Sequence, residues 1–415
     1  MSSPLLYKPD ICSAMMNLIL FDDPAIRVQL LPFTFTRPVA NIRVGILTIA
    51  EKWAVRLQIK PSYLTESYLQ TKFPQRAGDN NLYINGAVCP TRELVSAIEA
   101  LPMGGTLTRA DGLLIAHRTE KILTHLTDLN PITPQVFDKS VTTIERTWEI
   151  MLANGAQIRT DFALITNGRM SQPITDPFTY AYGEENIFLE EGATVRASIL
   201  NAESGPIYIG RNAQINEGSV IIGPFALGTE SVVQWGSRMR QNTSIGPFCK
   251  IGGEVGGSVL FGYSAKQHDG YLGNSVIGEW CNLGANTNTS NLKNDYTNVK
   301  LHSYTTGQLE DSGQMFAGLF MGDFTRAGIS TMFNTGTVVG VNVNVFGSGF
   351  QPKHIPSFSW GGVADGFTPY RINKALHVAR EVYSRRDRVF DETEEAILTA
   401  ISQQESVPLG ELTIH

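Results

Sequence analysis

Ile209-Gly-Arg-Asn-Ala-Gln-Ile215-Asn-Glu-Gly-Ser-Val-Ile221-Ile-Gly-Pro-Phe-Ala-Leu227-Gly-Thr-Glu-Ser-Val-Val233-Gln-Trp-Gly-Ser-Arg-Met239-Arg-Gln-Asn-Thr-Ser-Ile245-Gly-Pro-Phe-Cys-Lys-Ile251 places an apolar residue at every sixth position. Gly follows at 210, 228, 246 and 252, and most residues between are small or polar. A helix repeats at 3.6 residues and a two-sided strand at 2.0, so a period of six points to stacked coils. Hexapeptide units of this kind build a triangular β-solenoid. Each recurring aliphatic points inward and stacks on its equivalent one coil away.

The frame breaks twice. After Ile251 the count fails and resumes at Ile277, Leu283 and Thr289; it fails again and returns at Met321, Ala327, Phe333, Val339 and Val345. The repeat region spans about 185–350, and each break implies an insertion or a loop leaving the coil. Loops on a regular scaffold are where chemistry concentrates, which directs attention to Gly252–Val276. Beyond Pro356, residues 371–403 carry helical periodicity, and such a tail is expected to cap the open end of the solenoid.

A chain of 415 residues is long for one core and predicts two or three domains. Before the repeat, strand-like runs (Asn17–Phe21, Leu82–Ile84, Leu113–Ala116, Phe162–Ile165) alternate with helical ones (Leu47–Leu57, Arg92–Ala100, Thr143–Ala153), the pattern of an α/β layer domain. A polar segment at 166–176 reads as the linker. The organisation expected is therefore an extension at 1–15, an α/β domain at 16–170, a solenoid at 185–362 and a helical segment at 366–405.

The net charge of −6 excludes a general nucleic-acid binder, because no basic stripe is present. An anionic substrate must then be gripped by a few placed Arg and Lys residues. Cys12, Cys89, Cys249 and Cys281 lack metal-ligand spacing and read as reduced thiols. The apolar run Met15–Phe21 is too short to cross a membrane and ends in Asp22 and Asp23. Neither nucleic acid nor membrane is an expected partner, and a cytoplasmic protein is expected.

Within the first break, His268 stands among turn residues, beside an acid and near Tyr271. Imidazole is the natural general base near neutral pH, although most loop histidines are idle. Downstream, Cys281-Asn-Leu-Gly-Ala-Asn-Thr-Asn-Thr-Ser-Asn291 offers amide donors and acceptors; the same run would equally suit side-chain ladders and turns within a solenoid. A zinc-dependent carbonic anhydrase solenoid needs three converging histidines, and His268, His302 and His354 have the wrong spacing.

The stretch Ala265-Lys-Gln-His268-Asp-Gly-Tyr271-Leu-Gly-Asn274-Ser-Val-Ile-Gly278-Glu-Trp-Cys-Asn282-Leu-Gly-Ala285-Asn-Thr287-Asn-Thr289-Ser-Asn291 resembles, without a gap, the acetyltransferase signature of one bifunctional bacterial family. That family comprises the N-acetylglucosamine-1-phosphate uridyltransferase / glucosamine-1-phosphate N-acetyltransferases. The resemblance implies a left-handed parallel β-helix, acetyl-CoA as co-substrate and an amino-sugar phosphate as acceptor. It implies that His268 is the base and that Glu254 orients it. Arg238 or Arg240, Tyr271, Asn282 and Asn291 would hold the sugar phosphate, and Ala285, Asn286 and Thr287 would line the acetyl-CoA channel. A homotrimer with pockets between chains is also implied. The chain departs from the family in two places: the Lys expected two residues after the Glu is Gly256, and the second phosphate-binding Lys must be sought at Lys293 or Lys300.

A fainter resemblance covers Asn17–Gly45, which is similar to the opening of sugar nucleotidyltransferases, with Leu31-Pro-Phe-Thr34 and Arg37-Pro38 aligned. It implies a nucleotidyltransferase-like fold, UTP or another nucleotide as substrate, and possible use of magnesium, with the identity of any metal open. Asp22, Asp23, Arg27, Arg37, Arg43 and Asn85 are the nucleotide-binding candidates. The Gly-rich loop is replaced by Phe21-Asp22-Asp23-Pro24, and Ala87 stands where the family's magnesium-holding Asp falls. The domain is thus expected to be either a divergent uridyltransferase or one with a reduced role. Phe33-Thr-Phe-Thr-Arg-Pro38 and Ser357-Phe-Ser-Trp-Gly-Gly362 are similar to phrases of a two-domain lineage of such proteins best known from Bacteroidetes. The rival expectations are an acyltransferase acting on a nucleotide-linked amino sugar, and a trimeric, non-catalytic sugar-nucleotide scaffold.

Overall fold

The computed structural model describes residues 16–128 and 134–404. The extension expected at 1–15, Cys12 within it, and residue 405 of the C-terminal segment lie outside the described residues. Contacts divide the chain at Ile144/Glu145, with the segments Val28–Thr36 and Ile42–Leu47 grouped with the later unit.

The first unit is built on a six-stranded mixed sheet. Its order is Ser62–Leu64, Asn17–Phe21, Asn81–Asn85, Leu114–Thr119, Thr106–Arg109, Gln135–Phe137, the first three being parallel. Asn17–Phe21 is buried along nearly its whole length, as a strand covered on both faces must be. The helix Ile49–Leu57 begins in a capping box: Glu51 N–H donates to Thr48 Oγ1 at 3.1 Å, and Thr48 N–H donates to Glu51 Oε2 at 2.7 Å.

The second unit is a parallel β-solenoid followed by helices. Its strands fall into three main sheets, of six, nine and ten strands, parallel except for the last pair of the ten-stranded one. The register follows the six-residue count: Thr194, Gln214, Val232 and Lys250 lie on successive coils of one sheet, beside the inward Val195, Ile215, Val233 and Ile251. These inward residues join one continuous apolar core with those of the other two sheets. Buried serines stitch adjacent coils at the corners. Ser264 Oγ donates to the Gly278 carbonyl at 2.8 Å and accepts from Cys281 N–H at 2.9 Å.

The structure corrects three expectations. Residues 252–276 do not leave the coil: Glu254–Gly256, Val259–Gly262, Ala265–Lys266 and Tyr271–Gly273 each continue a sheet. The frame breaks there because coils are shortened, Ile251 pairing with Lys266 before a full coil has elapsed. A deletion at a corner disturbs the count as surely as an insertion. The excursion belongs to the second break, where Val276 pairs across to Phe320 and the intervening chain forms the antiparallel hairpin Lys300–His302/Leu309–Asp311.

Second, Phe162–Ile165 is the last turn of a helix, Thr147–Thr166, which also starts later than the predicted Thr143. The short apolar run was part of a longer helical face that buries Ile150, Met151 and Ile158. Polar side chains of this helix secure the neighbouring loop: Gly45 N–H donates to Asn154 Oδ1 at 2.7 Å, and Ile46 N–H to Asp161 Oδ2 at 2.9 Å.

Third, the C-terminal helices Ile372–Ser384 and Glu392–Gln404 do not cap the open end. That end of the ten-stranded sheet is finished by the antiparallel hairpin Ser359–Gly362/Gly366–Pro369. The tail instead follows a corner of the solenoid where Phe248, Tyr263, Trp280 and Phe324 occupy left-handed backbone positions, φ 54 to 61°. Bulky residues there are strained by about 1–3 kcal/mol each. Ring stacking offsets that cost: Phe248 on Tyr263 at 4.9 Å, Tyr263 on Trp280 at 4.2 Å, and Tyr383 of the tail on Trp280 at 4.0 Å. Arg386 Nη1 adds a bond to the Phe248 carbonyl at 2.9 Å.

Trp280→Ala is therefore expected to destabilise the solenoid unit by roughly 3–5 kcal/mol and to free the C-terminal helices. Urea unfolding and limited proteolysis would read both effects, and an unchanged proteolysis pattern would contradict this account of the tail.

The excursion is fastened by two stacked imidazoles. His302 and His354 lie with ring centroids 3.5 Å apart, with Tyr304 edge-on to both and Phe35 against Tyr304. Burial pushes His302 down to about 4, against the pull of Glu310, and His354 down to about 3. Both rings are thus neutral in the folded chain at neutral pH. The unfolded chain takes up protons below about 6.5 while the folded one does not, so stability is full above that pH. It is lost as pH falls from about 6.5 toward about 4. Urea midpoints measured between pH 7.5 and 4.5 should decline, and His354→Phe should flatten the decline; an equal slope in both proteins would refute the assignment.

Candidate functional site

The six-stranded sheet of the solenoid carries a column of outward side chains. Val220 pairs with Arg238, Arg238 with Glu254, and Glu254 with Tyr271, so the three polar residues stand on successive coils. Parallel in-register coils bring residues far apart in sequence to one coil spacing.

Beyond Tyr271–Gly273 this sheet stops, and Asn288–Thr289 pairs instead with Met332–Phe333 in a separate two-stranded sheet. Side chains bridge the gap. Tyr271 N–H donates to Asn288 Oδ1 at 2.8 Å, and Gly273 N–H to Thr289 Oγ1 at 3.3 Å. An open cleft of about 350 Å³ lies there, lined by Arg238, Glu254, Asp269, Gly270, Tyr271, Asn286 and Asn288.

Glu254 does not meet His268. Its carboxylate is shared by Arg238 Nε at 3.5 Å and Arg240 Nη1 at 3.3 Å, with both arginine side chains more than half exposed. Exposed pairs of this geometry contribute about 0–1 kcal/mol, so either guanidinium can turn to an incoming anion at little cost. Gly256, where the family's Lys was expected, makes room for one of them: a Cβ there would sit 3.0 Å from Arg240 Cβ. Gly273 does the same for Tyr271, whose hydroxyl would lie 2.2 Å from a Cβ. Asn291 Nδ2 donates to Tyr271 Oη at 3.1 Å and to Asn274 Oδ1 at 2.8 Å, which fixes the phenol.

His268 is exposed at the corner between Ala265–Lys266 and Tyr271–Gly273, one residue before the cleft-lining Asp269. Among the described residues no hydrogen bond to its imidazole is found, which leaves the ring available to a substrate. Ala285 and the left-handed Asn286 (φ 59°) form the equivalent corner on the next coil, with Asn286 N–H donating to the Asp269 carbonyl at 2.9 Å. Thr287 is buried, its hydroxyl donating to the Gly328 carbonyl at 3.3 Å.

The structure thus gathers Arg238, Arg240, Glu254, Tyr271, Asn286 and Asn291 around one cleft or its rim. It does not gather Asn282, which lies in the ten-stranded sheet between Ala265 and Arg326. Nor does it bring in Lys293 or Lys300, which belong to the excursion, Lys293 being paired with Asp295 at 3.4 Å. Asp269 and Asn288 were missed by sequence reasoning. Asn288 sits in the asparagine-rich run already singled out, but only the interrupted ladder reveals its task.

In the first unit the nucleotide-binding candidates are occupied structurally. Asp22 Oδ1 accepts from Val39 N–H at 2.8 Å, while its Oδ2 accepts from Arg27 at 2.9 Å and Thr65 at 2.6 Å. Burial raises the Asp22 carboxyl, and Arg27 pulls it back down. Asp23 caps the short helix Pro24–Gln29 by accepting from Ala25 N–H at 2.9 Å. Arg27 also donates to the Arg37 carbonyl at 3.3 Å, and Arg37 itself is buried. Asn85 spends its amide on the Leu114 carbonyl at 3.0 Å and on Ala87 N–H at 3.0 Å.

Arg43 belongs to the second unit, donating to the Phe261 carbonyl at 3.0 Å and to that of Ile46. With no ligand atom on the Ala87 side chain and those of Asp22 and Asn85 already engaged, these residues do not fit a magnesium ion. Among the described residues no cluster of three or more His, Cys, Asp or Glu is placed to hold a metal. No helix of the described residues is long and apolar enough to cross a membrane.

Residues 18–170 match the model of the sugar nucleotidyl transferase family. The chain is 35% identical over 104 residues to the bifunctional protein GlmU of Methanocaldococcus jannaschii, which is 25% of this chain and 24% of that protein. It is 33% identical over 144 residues to a bifunctional sugar-1-phosphate nucleotidylyltransferase/acetyltransferase of Sulfurisphaera tokodaii, 34% of this chain and 35% of that one. The GlmU of Methanococcus aeolicus is 33% identical over 104 residues, 25% of this chain and 24% of its own length. The matched stretch spans a quarter to about a third of these relatives' lengths. Residues 18–170 are thus similar to sugar nucleotidyl transferases, and part of the chain is similar to GlmU proteins and to a bifunctional nucleotidylyltransferase/acetyltransferase.

Proposed function

We propose that the solenoid is an acetyl-CoA-dependent N-acetyltransferase acting on glucosamine-1-phosphate or a similar amino-sugar phosphate. The observation that carries this reading is the column Arg238, Glu254, Tyr271 facing a cleft whose adjacent corner holds an unengaged imidazole. Exposed guanidiniums suit the phosphate, and the amides of Asn286 and Asn288 suit sugar hydroxyls.

The amine nitrogen attacks the thioester carbonyl carbon directly. His268 takes the proton released by that nitrogen, the C–S bond breaks, and the coenzyme A thiolate leaves and is protonated. General-base help of about 10²–10⁴-fold then adds to the positioning of two bound substrates. The Ala285–Thr287 corner is the proposed track of acetyl-CoA. In a homotrimer Asn282, Lys293 and Lys300, which face elsewhere, would serve a pocket shared with a neighbouring chain.

Coenzyme A release with acetyl-CoA and glucosamine-1-phosphate should be seen for the wild type and should fall by about 10²–10⁴-fold in kcat for His268→Ala. A wild type inert on a panel of amino sugars would sink the reading, and a nucleotide-linked amino sugar as the sole acceptor would favour the rival acyltransferase.

For residues 18–170 we propose sugar-nucleotide binding without magnesium-dependent turnover through Asp22, Asp23 and Asn85. Asp22→Asn is expected to cost roughly 1–3 kcal/mol of stability, because an amide leaves only one oxygen to accept from Arg27, Thr65 and Val39. Pyrophosphate release with UTP, magnesium and N-acetylglucosamine-1-phosphate should stay at background while calorimetry detects a sugar nucleotide. Rapid pyrophosphate release would refute this half of the proposal.

A further inference from the structure

The inward positions of the ten-stranded sheet run Val195, Ile215, Val233, Ile251, and after a further coil Leu283, Ala327 and Val345, all within the apolar core. One residue breaks the column. Ile251 pairs with Lys266, whose side chain is only 1% exposed. An ammonium in an apolar column is costly unless its donors are satisfied, and a Met or Leu there would satisfy packing better. Its donors must therefore be met inside the coil.

The ammonium reaches two backbone carbonyls on adjacent coils. Lys266 Nζ donates to the Gly252 carbonyl at 3.1 Å and to that of His268 at 2.8 Å. The backbone makes room for it. Gly253 adopts φ +74°, and a Cβ there would stand 3.0 Å from Lys266 Nζ and 2.8 Å from the Gly270 carbonyl. The corner above is tied on its other side by Asn286 N–H to the Asp269 carbonyl at 2.9 Å. Residues 268–270 are therefore held from below by a side chain and from above by the next coil.

We propose that Lys266 is the positioning residue for His268: from inside the solenoid it pins the carbonyl of the residue whose imidazole faces solvent, and so sets the corner that carries the base and Asp269. This rests on His268 being the base. Burial lowers the lysine to about 8, and Asp269 pulls it back up. Both carbonyl bonds survive deprotonation, because a neutral amine keeps two N–H groups.

Lys266→Met keeps length and apolar packing while removing both donors. Lys266→Gln keeps an amide donor and serves as the conservative partner. In the full-length protein, Lys266→Met should hold or raise the melting temperature, lower kcat for acetyl-CoA and glucosamine-1-phosphate by roughly 10²-fold, and leave KM for the sugar near its wild-type value. Lys266→Gln should recover most of kcat. Amide exchange of Asp269, Gly270 and Tyr271 should quicken in the Met variant and be restored in the Gln variant.

Unchanged kcat in Lys266→Met would overturn the proposal, as would parallel loss of stability and activity in both variants. If the wild type releases no coenzyme A from any amino sugar, the base reading fails while the exchange measurement still decides the pin. Exchange at the corner that ignores the substitution would refute it on its own.

Discussion

Everything in the larger unit depends on one apolar residue per six standing inward and meeting its equivalent on the next coil. Burial of that stack is the main favourable term, and it dictates the register of every parallel pair outside it. Once Val233 lies on Ile251, the outward neighbours Val232 and Lys250 have no freedom of alignment. The same constraint, on the six-stranded sheet, brings Arg238, Glu254 and Tyr271 into one column. Function on this scaffold is thus a matter of which side chains the inward stack leaves pointing out.

The cleft exists because the stack continues where the backbone ladder does not. Tyr271 and Gly273 find side-chain acceptors in Asn288 and Thr289 instead of carbonyls, which keeps the buried-edge accounting closed while opening a groove. Glycines at 253, 256 and 273 then let three polar side chains, Lys266, Arg240 and Tyr271, lie where a Cβ would stand. Shortened coils and an interior lysine fall together in this part of the chain. Departures from an ideal repeat concentrate where a site is proposed, as expected when local regularity is given up for chemistry.

The first unit makes the opposite use of its polar residues. Asp22 and Asp23 stood as nucleotide-binding candidates; one organises Arg27, Thr65 and Val39, the other caps a helix. Sequence cannot separate these uses, because a carboxylate satisfied by protein donors and one awaiting a cation are the same letter. The distinction lies in how many donors reach each oxygen, and that is a three-dimensional count.

The six-residue period, read from side chains that must stack, was enough to determine the solenoid, and alternating strand and helix runs pointed to the α/β layer before it. His268, Tyr271 and Asn291 were legible as site candidates because they lie within a few coil positions of one another in a continuous run. The strand run at 162–165, the supposed loop at 252–276 and the supposed end cap were misread for a shared reason. A local window cannot tell a deletion from an insertion, a helix end from a strand, or a side contact from an end contact. Only the tertiary structure decided that Glu254 meets Arg238 and Arg240 rather than His268, that Asn282 lies on another face, and that Lys266 points inward. Those outcomes turn on the length of individual coils, and coil length is fixed by which residues pair across the sheet, not by their order in the chain.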